Sequence, residues 1–382
     1  MNKPSIGLVS ALLDPEFGGP AYAAQKLLVS LKSSGYTVRL VGLCDEDRRR
    51  QVQDFSQADE LVPIGYPRAW FPGKGLRSAF HRCRDTDLWH AQMFWDGCVL
   101  RTVMHARQNR LPCVISPRGS LFEERLRSLH KRFYLTGAIP LFNRHVSAFH
   151  ALTEREARAL RKAGLKRPIH VIPNYVLPPR QVEAGECRAV LGELGIDTNR
   201  RWLLNLGRIA RGKGVTTLLK AFSRLPEATR GEWGIIIAGP DYRGYSREVR
   251  RCIAELGLRD HVVCCGNVAG AAKDAVFQAA TVFVQLSAGE AMSNSVLEAM
   301  SHGLPVALSR ECEMPAIEEQ EAGWLIPRDG EGPSRKLQEI LELCPADVGR
   351  AGSRARKLAQ TEYSEKTVIG MYLQMYQEVL GA

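Results

Sequence analysis

Two stretches of this sequence carry the residue types that hold an anionic leaving group. The first is Gly207-Arg208-Ile209-Ala210-Arg211-Gly212-Lys213-Gly214, set between an apolar run and a helical pattern. It fits G-x-x-x-x-G-K, but Gly214 stands where a phosphate-hydrolysing loop needs a hydroxyl for magnesium, and no strand ending in a lone Asp replaces it. What remains is Arg208 and Lys213 at the mouth of a strand, where a diphosphate needs cations. Two solvated basic side chains in a turn fit the same residues.

The second stretch is Gly289-Glu290-Ala291-Met292-Ser293-Asn294-Ser295-Val296-Leu297-Glu298. A polar turn opens a helix there, so the free N–H groups of residues about 293–296 make an anion site. Glu290, just ahead of it, can accept hydrogen bonds from sugar hydroxyls. Glu298, one turn in, can accept bonds from a ribose diol. Ser295-x-x-Glu298 is equally a capping box that needs no ligand.

These residues need a scaffold that presents strand ends, and the sequence predicts one. Apolar runs at Ile6–Leu13, Val38–Leu43, Leu88–Ala91, Cys113–Ser116 and Ala148–Leu152 alternate with helical patterns. Pro20 opens one such helix, and Thr153-x-x-Glu156 reads as the capping box of another. Ile172-Pro173-Asn174-Tyr175-Val176-Leu177-Pro178-Pro179 then breaks the pattern. The alternation restarts with strands at Trp202–Leu206, Gly234–Ala238, His261–Cys265, Thr281–Leu286 and Pro305–Leu308 and helices at Val215–Phe222 and Ser295–His302. The implied fold class is α/β, with two parallel sheets covered on both faces. The expected domains are 1–176, a linker and start of the second domain at 177–200, 201–362, and a C-terminal helix at 363–382.

Composition narrows the function. The 382 residues are 45% hydrophobic and 24% charged, ordinary for globular domains, and no apolar run approaches the ~18 residues of a membrane span. The net charge of +11 points to an anionic partner, but no nucleic-acid signature accompanies it. Ten cysteines form no C-x-x-C pair and no zinc spacing, which reads as reduced thiols in a cytoplasm and no metal.

In order along the chain, these motifs resemble the retaining glycosyltransferases of family 4, which have the GT-B fold of two Rossmann-like domains facing each other across a cleft. Glu290 and Glu298 look like that family's E-x7-E pair, and Leu206-Gly207-Arg208-Ile209 with Lys213-Gly214 looks like its diphosphate clamp. Phe17-Gly18-Gly19-Pro20 is similar to its first glycine loop, and Ile172-Pro173-Asn174 to the segment before its linker.

The resemblance implies that Glu290 contacts the donor sugar, Arg208 and Lys213 neutralise the departing diphosphate, and Glu298 binds the ribose. Main chain at Asn294 and Ser295 would hold phosphates, main chain at Val268 would meet the base, and Gly18 and Gly19 would face the donor phosphates or the acceptor. The sequence departs from the family at Met292-Ser293, where an aromatic followed by Gly or Pro is usual, and at Tyr175. It departs again at Arg118, a position that is frequently His. A permanent cation at 118 suits a phosphate or an acidic sugar. His90, after a strand, is the better pocket imidazole, with a buried structural histidine the equal alternative.

The expected activity is metal-independent, cofactor-free transfer of a hexose from a UDP- or GDP-sugar to a glycan or lipid-linked acceptor in bacterial cell-surface polysaccharide or lipopolysaccharide synthesis. A sugar-nucleotide epimerase, a phosphorylase and a non-catalytic anion-binding module are the rivals. Arg118, Arg125, Arg127, His130, Lys131 and Arg132, with Arg144 and His145, form a basic and partly aromatic region that suits anionic lipid or a lipid-linked pyrophosphate acceptor at a membrane surface, or equally a solvated helix face.

Overall fold

The computed structural model describes residues 3–11, 13–15, 18–63, 75–122 and 129–381, with backbone alone for residues 129 and 130. Phe17, Arg125, Arg127 and the side chain of His130 therefore lie outside the described residues. The chain forms two compact units, Met1–Asn174 with Glu365–Ala382, and Tyr175–Ser364.

The first unit runs β1 (Ser5–Ser10), α1 (Gly19–Ser33), β2 (Thr37–Cys44), α2 (Arg49–Ser56), β3 (Glu60–Pro63), α3 (Leu76–Arg82) and β4 (Leu88–Gln92). It continues with α4 (Gly97–Asn109), β5 (Cys113–Ser116), α5 (Leu129–His145), β6 (Ala148–Ala151), α6 (Glu154–Lys162) and β7 (Ile169–Val171). Its seven strands are all parallel in the order β3-β2-β1-β4-β5-β6-β7. The order reverses between β1 and β4, the kind of point at which such sheets open a ligand crevice.

The second unit holds α7 (Ala184–Glu193), β8 (Arg201–Leu206), α8 (Val215–Ser223), α9 (Glu227–Glu232), β9 (Trp233–Ala238), α10 (Ser246–Glu255), β10 (Val262–Gly266) and α11 (Gly270–Ala279). It continues with β11 (Val282–Gln285), α12 (Asn294–Ser301), β12 (Val306–Ser309), α13 (Ala316–Glu319), β13 (Gly323–Ile326), α14 (Gly332–Leu341) and α15 (Pro345–Thr361). Its parallel sheet has the order β10-β9-β8-β11-β12-β13. The inner strands β9 and β11 are buried along their whole length. A parallel strand covered on both faces must be apolar throughout, so these segments read as continuous apolar runs.

The last helix, α16 (Glu365–Leu380), belongs to the first unit. Ser30 of α1 donates to Glu365 at 2.5 Å, and Tyr372 and Tyr376 reach the buried histidines of β6 and β4. The segment 177–200 is more than a connector, because α7 packs on α11. Among the described residues no helix is long and apolar enough to cross a membrane.

Thr153 caps α6 as its spacing predicts, accepting from Glu156 N at 3.2 Å. The reciprocal bond of a capping box is replaced. The Glu156 carboxylate, 1% exposed, accepts from Leu152 N at 2.8 Å and from Gly119 N. It thereby ties the turn after β5 to the start of α6.

Candidate functional site

The two motif stretches of the second unit meet. Gly214 has φ +75°, and a Cβ there would lie 1.9 Å from Leu286 O, so only glycine lets the Arg211–Lys213 turn lie against the segment after β11. Ala288 N donates to Gly212 O at 2.9 Å and closes the junction. A Cβ on Gly207 would stand 3.9 Å from Ser295 Oγ, so the end of β8 and the head of α12 are neighbours.

At this junction Lys213 Nζ is 2.5 Å from Glu290 Oε1, with the two side chains 25% and 12% exposed. The same oxygen accepts from Ser287 Oγ at 2.9 Å and Gln285 Nε2 at 3.1 Å. On its other side Gln285 Oε1 accepts from Ser293 Oγ at 2.9 Å and Ser295 Oγ at 3.4 Å. One polar network thus runs from the head of α12 through the last residue of β11 to the cation. Gln285 and Ser287 escaped the sequence reading, although a polar residue ending an otherwise apolar strand was the available signal.

Helix α12 begins with Ser293 as its N-cap and no side chain capping its first N–H groups, which leaves them for an anion. Asn294 Oδ1 is buried without a partner. The capping-box alternative for Ser295-x-x-Glu298 is corrected here. The cap lies two residues earlier, Ser295 Oγ turns to Ser293 and Gln285, and Glu298 pairs with Lys273 of α11 at 2.7 Å. Lys273 was not foreseen, since nothing local marks it.

Arg208 stacks over the Tyr242 ring at 5.1 Å, and no carboxylate among the described residues pairs with it. Met292 and Ser293 are buried at 8% exposure each. Val268 follows β10. Beside it a cavity of about 450 Å³ opens at the carboxyl ends of β8, β9 and β10, lined by Ile209, Gly239, Asp241, Arg250, Gly266 and Asn267.

In the first unit Gly18 (φ +69°) is the N-cap of α1, and exposed Gly19 starts the helix, again with no side chain capping the first turn. Arg118 sits in left-handed backbone (φ +51°) at 8% exposure. Its guanidinium donates to Gln92 Oε1 at 2.7 Å and Asn174 Oδ1 at 3.3 Å, so neutral amides hold it.

His90 is fully buried, which gives the structural reading of this residue and removes it from any pocket wall. Its surroundings engage both of its nitrogens. His150 Nε2 lies 2.8 Å from Ile172 O and donates to it, and Ser116 Oγ lies 2.5 Å from His150 Nδ1. Ser116 Oγ also lies 2.6 Å from His90 Nε2, which Gln92 Nε2 approaches at 3.2 Å, and Tyr376 OH lies 2.8 Å from His90 Nδ1. Burial first, then neighbouring positive charge, holds His90 well below the usual imidazole range and His150 at about 3.

Of the basic region, Arg132 and Arg144 are exposed on α5, Phe133 next to Arg132 is 79% exposed, and Lys131 Nζ lies 5.1 Å from the Trp95 ring centre.

Comparison with known proteins bears on the family and the fold. Residues 190–357 match the family described as glycosyl transferases group 1, and residues 18–175 match the glycosyl transferase 4-like domain. A GDP-mannose:cellobiosyl-diphosphopolyprenol alpha-mannosyltransferase of Xanthomonas oryzae is 27% identical over 91% of this chain and 90% of its own. An O-antigen chain mannosyltransferase B of Escherichia coli is 30% identical over 42% of this chain and 41% of its own. Among solved structures, Anabaena HepE in complex with UDP and glucose superposes with a TM-score of 0.80 at 18% identity, covering 98% of this chain and all of that one. These matches exclude a bare anion-binding module. Since the two matched regions take in the greater part of both units, the chain belongs to the family 4 glycosyltransferases, nucleotide-sugar-dependent enzymes of the GT-B fold.

Proposed function

We propose that this enzyme moves a hexose, with retention at the anomeric carbon and without a metal ion, from a GDP- or UDP-sugar to a glycan or lipid-linked acceptor of bacterial cell-surface polysaccharide. The observation that carries the reading is the Lys213–Glu290 pair beside the uncapped head of α12. Breaking the bond to a diphosphate gathers negative charge on the leaving group. Lys213, Arg208 and the first N–H groups of α12 are fixed positive ends that can meet that charge. Glu290 accepts one hydrogen bond from a donor-sugar hydroxyl. The unpartnered Asn294 Oδ1 is suited to accept another. Glu298, with Lys273, takes the ribose.

Three donors on Oε1 fix the Glu290 carboxylate as a hydrogen-bond acceptor, and we assign it no nucleophilic role. Retention then follows from same-face attack, the leaving phosphate taking the acceptor proton. Within the first unit, Arg118 is a fixed cation suited to a phosphate or an acidic sugar, and Gly18 and Gly19 present main-chain groups at the head of α1. GDP-mannose is the first donor to test, because the Xanthomonas relative's name specifies it together with a diphosphopolyprenol-linked acceptor.

We place the enzyme at the inner face of the cytoplasmic membrane. Arg132, Phe133 and Arg144 of α5 supply the exposed cations and the apolar anchor for anionic lipid. Co-sedimentation with phosphatidylglycerol vesicles, compared with phosphatidylcholine vesicles as salt rises, tests that placement; equal binding to both refutes it.

The test of the activity is a thermal-shift panel of GDP-, UDP- and ADP-sugars, followed by transfer in EDTA with the product's anomeric configuration read by NMR. Stabilisation by one nucleotide sugar, EDTA-resistant transfer and a retained anomer are expected. An inverted product or an EDTA-abolished reaction refutes the mechanism. Conversion of the donor sugar with no acceptor present would mark an epimerase.

A further inference from the structure

The loop Met93–Asp96 leaves the carboxyl end of β4, beside the point where the strand order of the first sheet reverses between β1 and β4. It is held rigidly. Met93 takes φ +83° and donates its N–H to Ser116 O at 2.8 Å, and Tyr134 OH donates to Phe94 O at 3.0 Å. Trp95 Nε1 donates to Ser120 O at 3.1 Å, with the Tyr134 ring edge-on at 5.5 Å and the Lys131 ammonium over the indole.

At the end of this fixed loop Asp96 occupies the N-cap position of α4, yet its side chain caps nothing. Aspartate is favoured at that position because it accepts from the first-turn N–H groups, so a carboxylate turned from that role is serving something else. No described residue donates to it or pairs with it. The titratable groups facing it are Cys98 on α4 and Tyr134 on α5, both pushed up and neutral, and burial raises the Asp96 carboxyl to about 6. A rigid loop at a switch point that presents a half-buried carboxylate with no protein partner is the arrangement of a preorganised binding group.

We propose that Asp96 is a substrate-binding residue of the acceptor subsite, accepting a hydrogen bond from a hydroxyl of the acceptor sugar, with Trp95 as the wall beside it. This rests on the glycosyl-transfer reading and adds to it a carboxylate that the sequence motifs do not contain.

The test uses the full chain and its Asp96→Asn and Asp96→Ala variants, with GDP-mannose and a cellobiosyl-diphosphopolyprenol acceptor. Both variants should raise the acceptor KM tenfold or more, the loss of one charge-assisted hydrogen bond, while the KM for GDP-mannose moves less than twofold. Without ligand, both should melt no lower than the unaltered chain, since the half-buried carboxylate caps nothing and has no protein partner to lose. An unchanged acceptor KM overturns the assignment, and so does a lower melting temperature, which would make Asp96 a structural cap. If the unaltered chain consumes neither GDP-mannose nor UDP-glucose beside that acceptor, the glycosyl-transfer reading itself fails and takes this proposal with it.

Discussion

Replacing Glu290 with Gln should tighten the binding of free nucleoside diphosphate while it impairs transfer. Lys213 Nζ already holds Glu290 Oε1 at 2.5 Å. An ammonium has three N–H groups, so it can hold a phosphate oxygen as well. That oxygen, about 2.8 Å from Nζ and about 110° from the first bond, would lie about 4.3 Å from Glu290 Oε1. Two unit charges at this separation repel by about 1 kcal/mol at the dielectric of water and about 4 kcal/mol at the effective value near a protein surface. The pair is 25% and 12% exposed, so the lower figure is the conservative one. Glu290→Gln should therefore bind GDP or UDP about fivefold more tightly or better, measured by titration calorimetry at low salt. Transfer from the intact nucleotide sugar should fall about tenfold to a hundredfold, because a charge-assisted bond to the sugar is lost. Lys213→Met should weaken the same diphosphates about tenfold or more. Weaker diphosphate binding by Glu290→Gln would refute the shared-cation argument, and unchanged binding by Lys213→Met would refute the clamp itself.

Glu298→Gln should weaken GDP and UDP several-fold but leave inorganic pyrophosphate binding unaltered, a contrast that calorimetry reads directly; equal loss for all three would return Glu298 to a purely structural role. Gly214→Ala sets a Cβ 1.9 Å from Leu286 O at φ +75°, so it should destabilise the second unit by about 2–5 kcal/mol, seen as a lowered thermal midpoint. Because His150 is held at about 3 against an ordinary value near 6.5, the fold binds fewer protons than the unfolded chain between those values. The stability that this neutral ring contributes is complete above about pH 6.5 and is lost as pH falls, by about 1.4 kcal/mol per pH unit. Denaturant titrations of the chain and of His150→Gln between pH 6.5 and 4 should diverge by that slope, and parallel curves would show that the ring is not held neutral.

Nine of the ten strands legible in the sequence lie inside a sheet, and the tenth, β10, is an outermost strand read from its Val262-Val263-Cys264-Cys265 run. Gly234–Ala238 and Thr281–Leu286 were readable because β9 and β11 are buried on both faces. The three strands that went unread, β3, β7 and β13, are each an outermost strand of its sheet and only three or four residues long. An edge strand of three or four residues has one neighbour and need not be apolar throughout, so its sequence carries too little periodicity. The candidate site follows the same division between local and distant information. Glu290, Lys213 and the head of α12 lie on short stretches that their spacing marks, and the structure brings them together. Glu298 was misjudged as a possible cap because its true partner, Lys273, comes from a different helix.

The contrast is sharpest between two residues that follow each other closely near β4. His90 has the chemistry of a catalytic base, and its place after an apolar run suits a pocket imidazole and a buried structural histidine equally. However, it lies inside the strand, and Tyr376, 286 residues further on, covers it and takes one of its nitrogens. Asp96 lies beyond the carboxyl end of the same strand, where no described side chain satisfies it. In a parallel sheet the groups free to meet a ligand are those just past the strand ends. Within the strand, a polar side chain persists only where the fold supplies its partner. Position relative to the strand end, rather than residue type, therefore decides which of the two is available for binding.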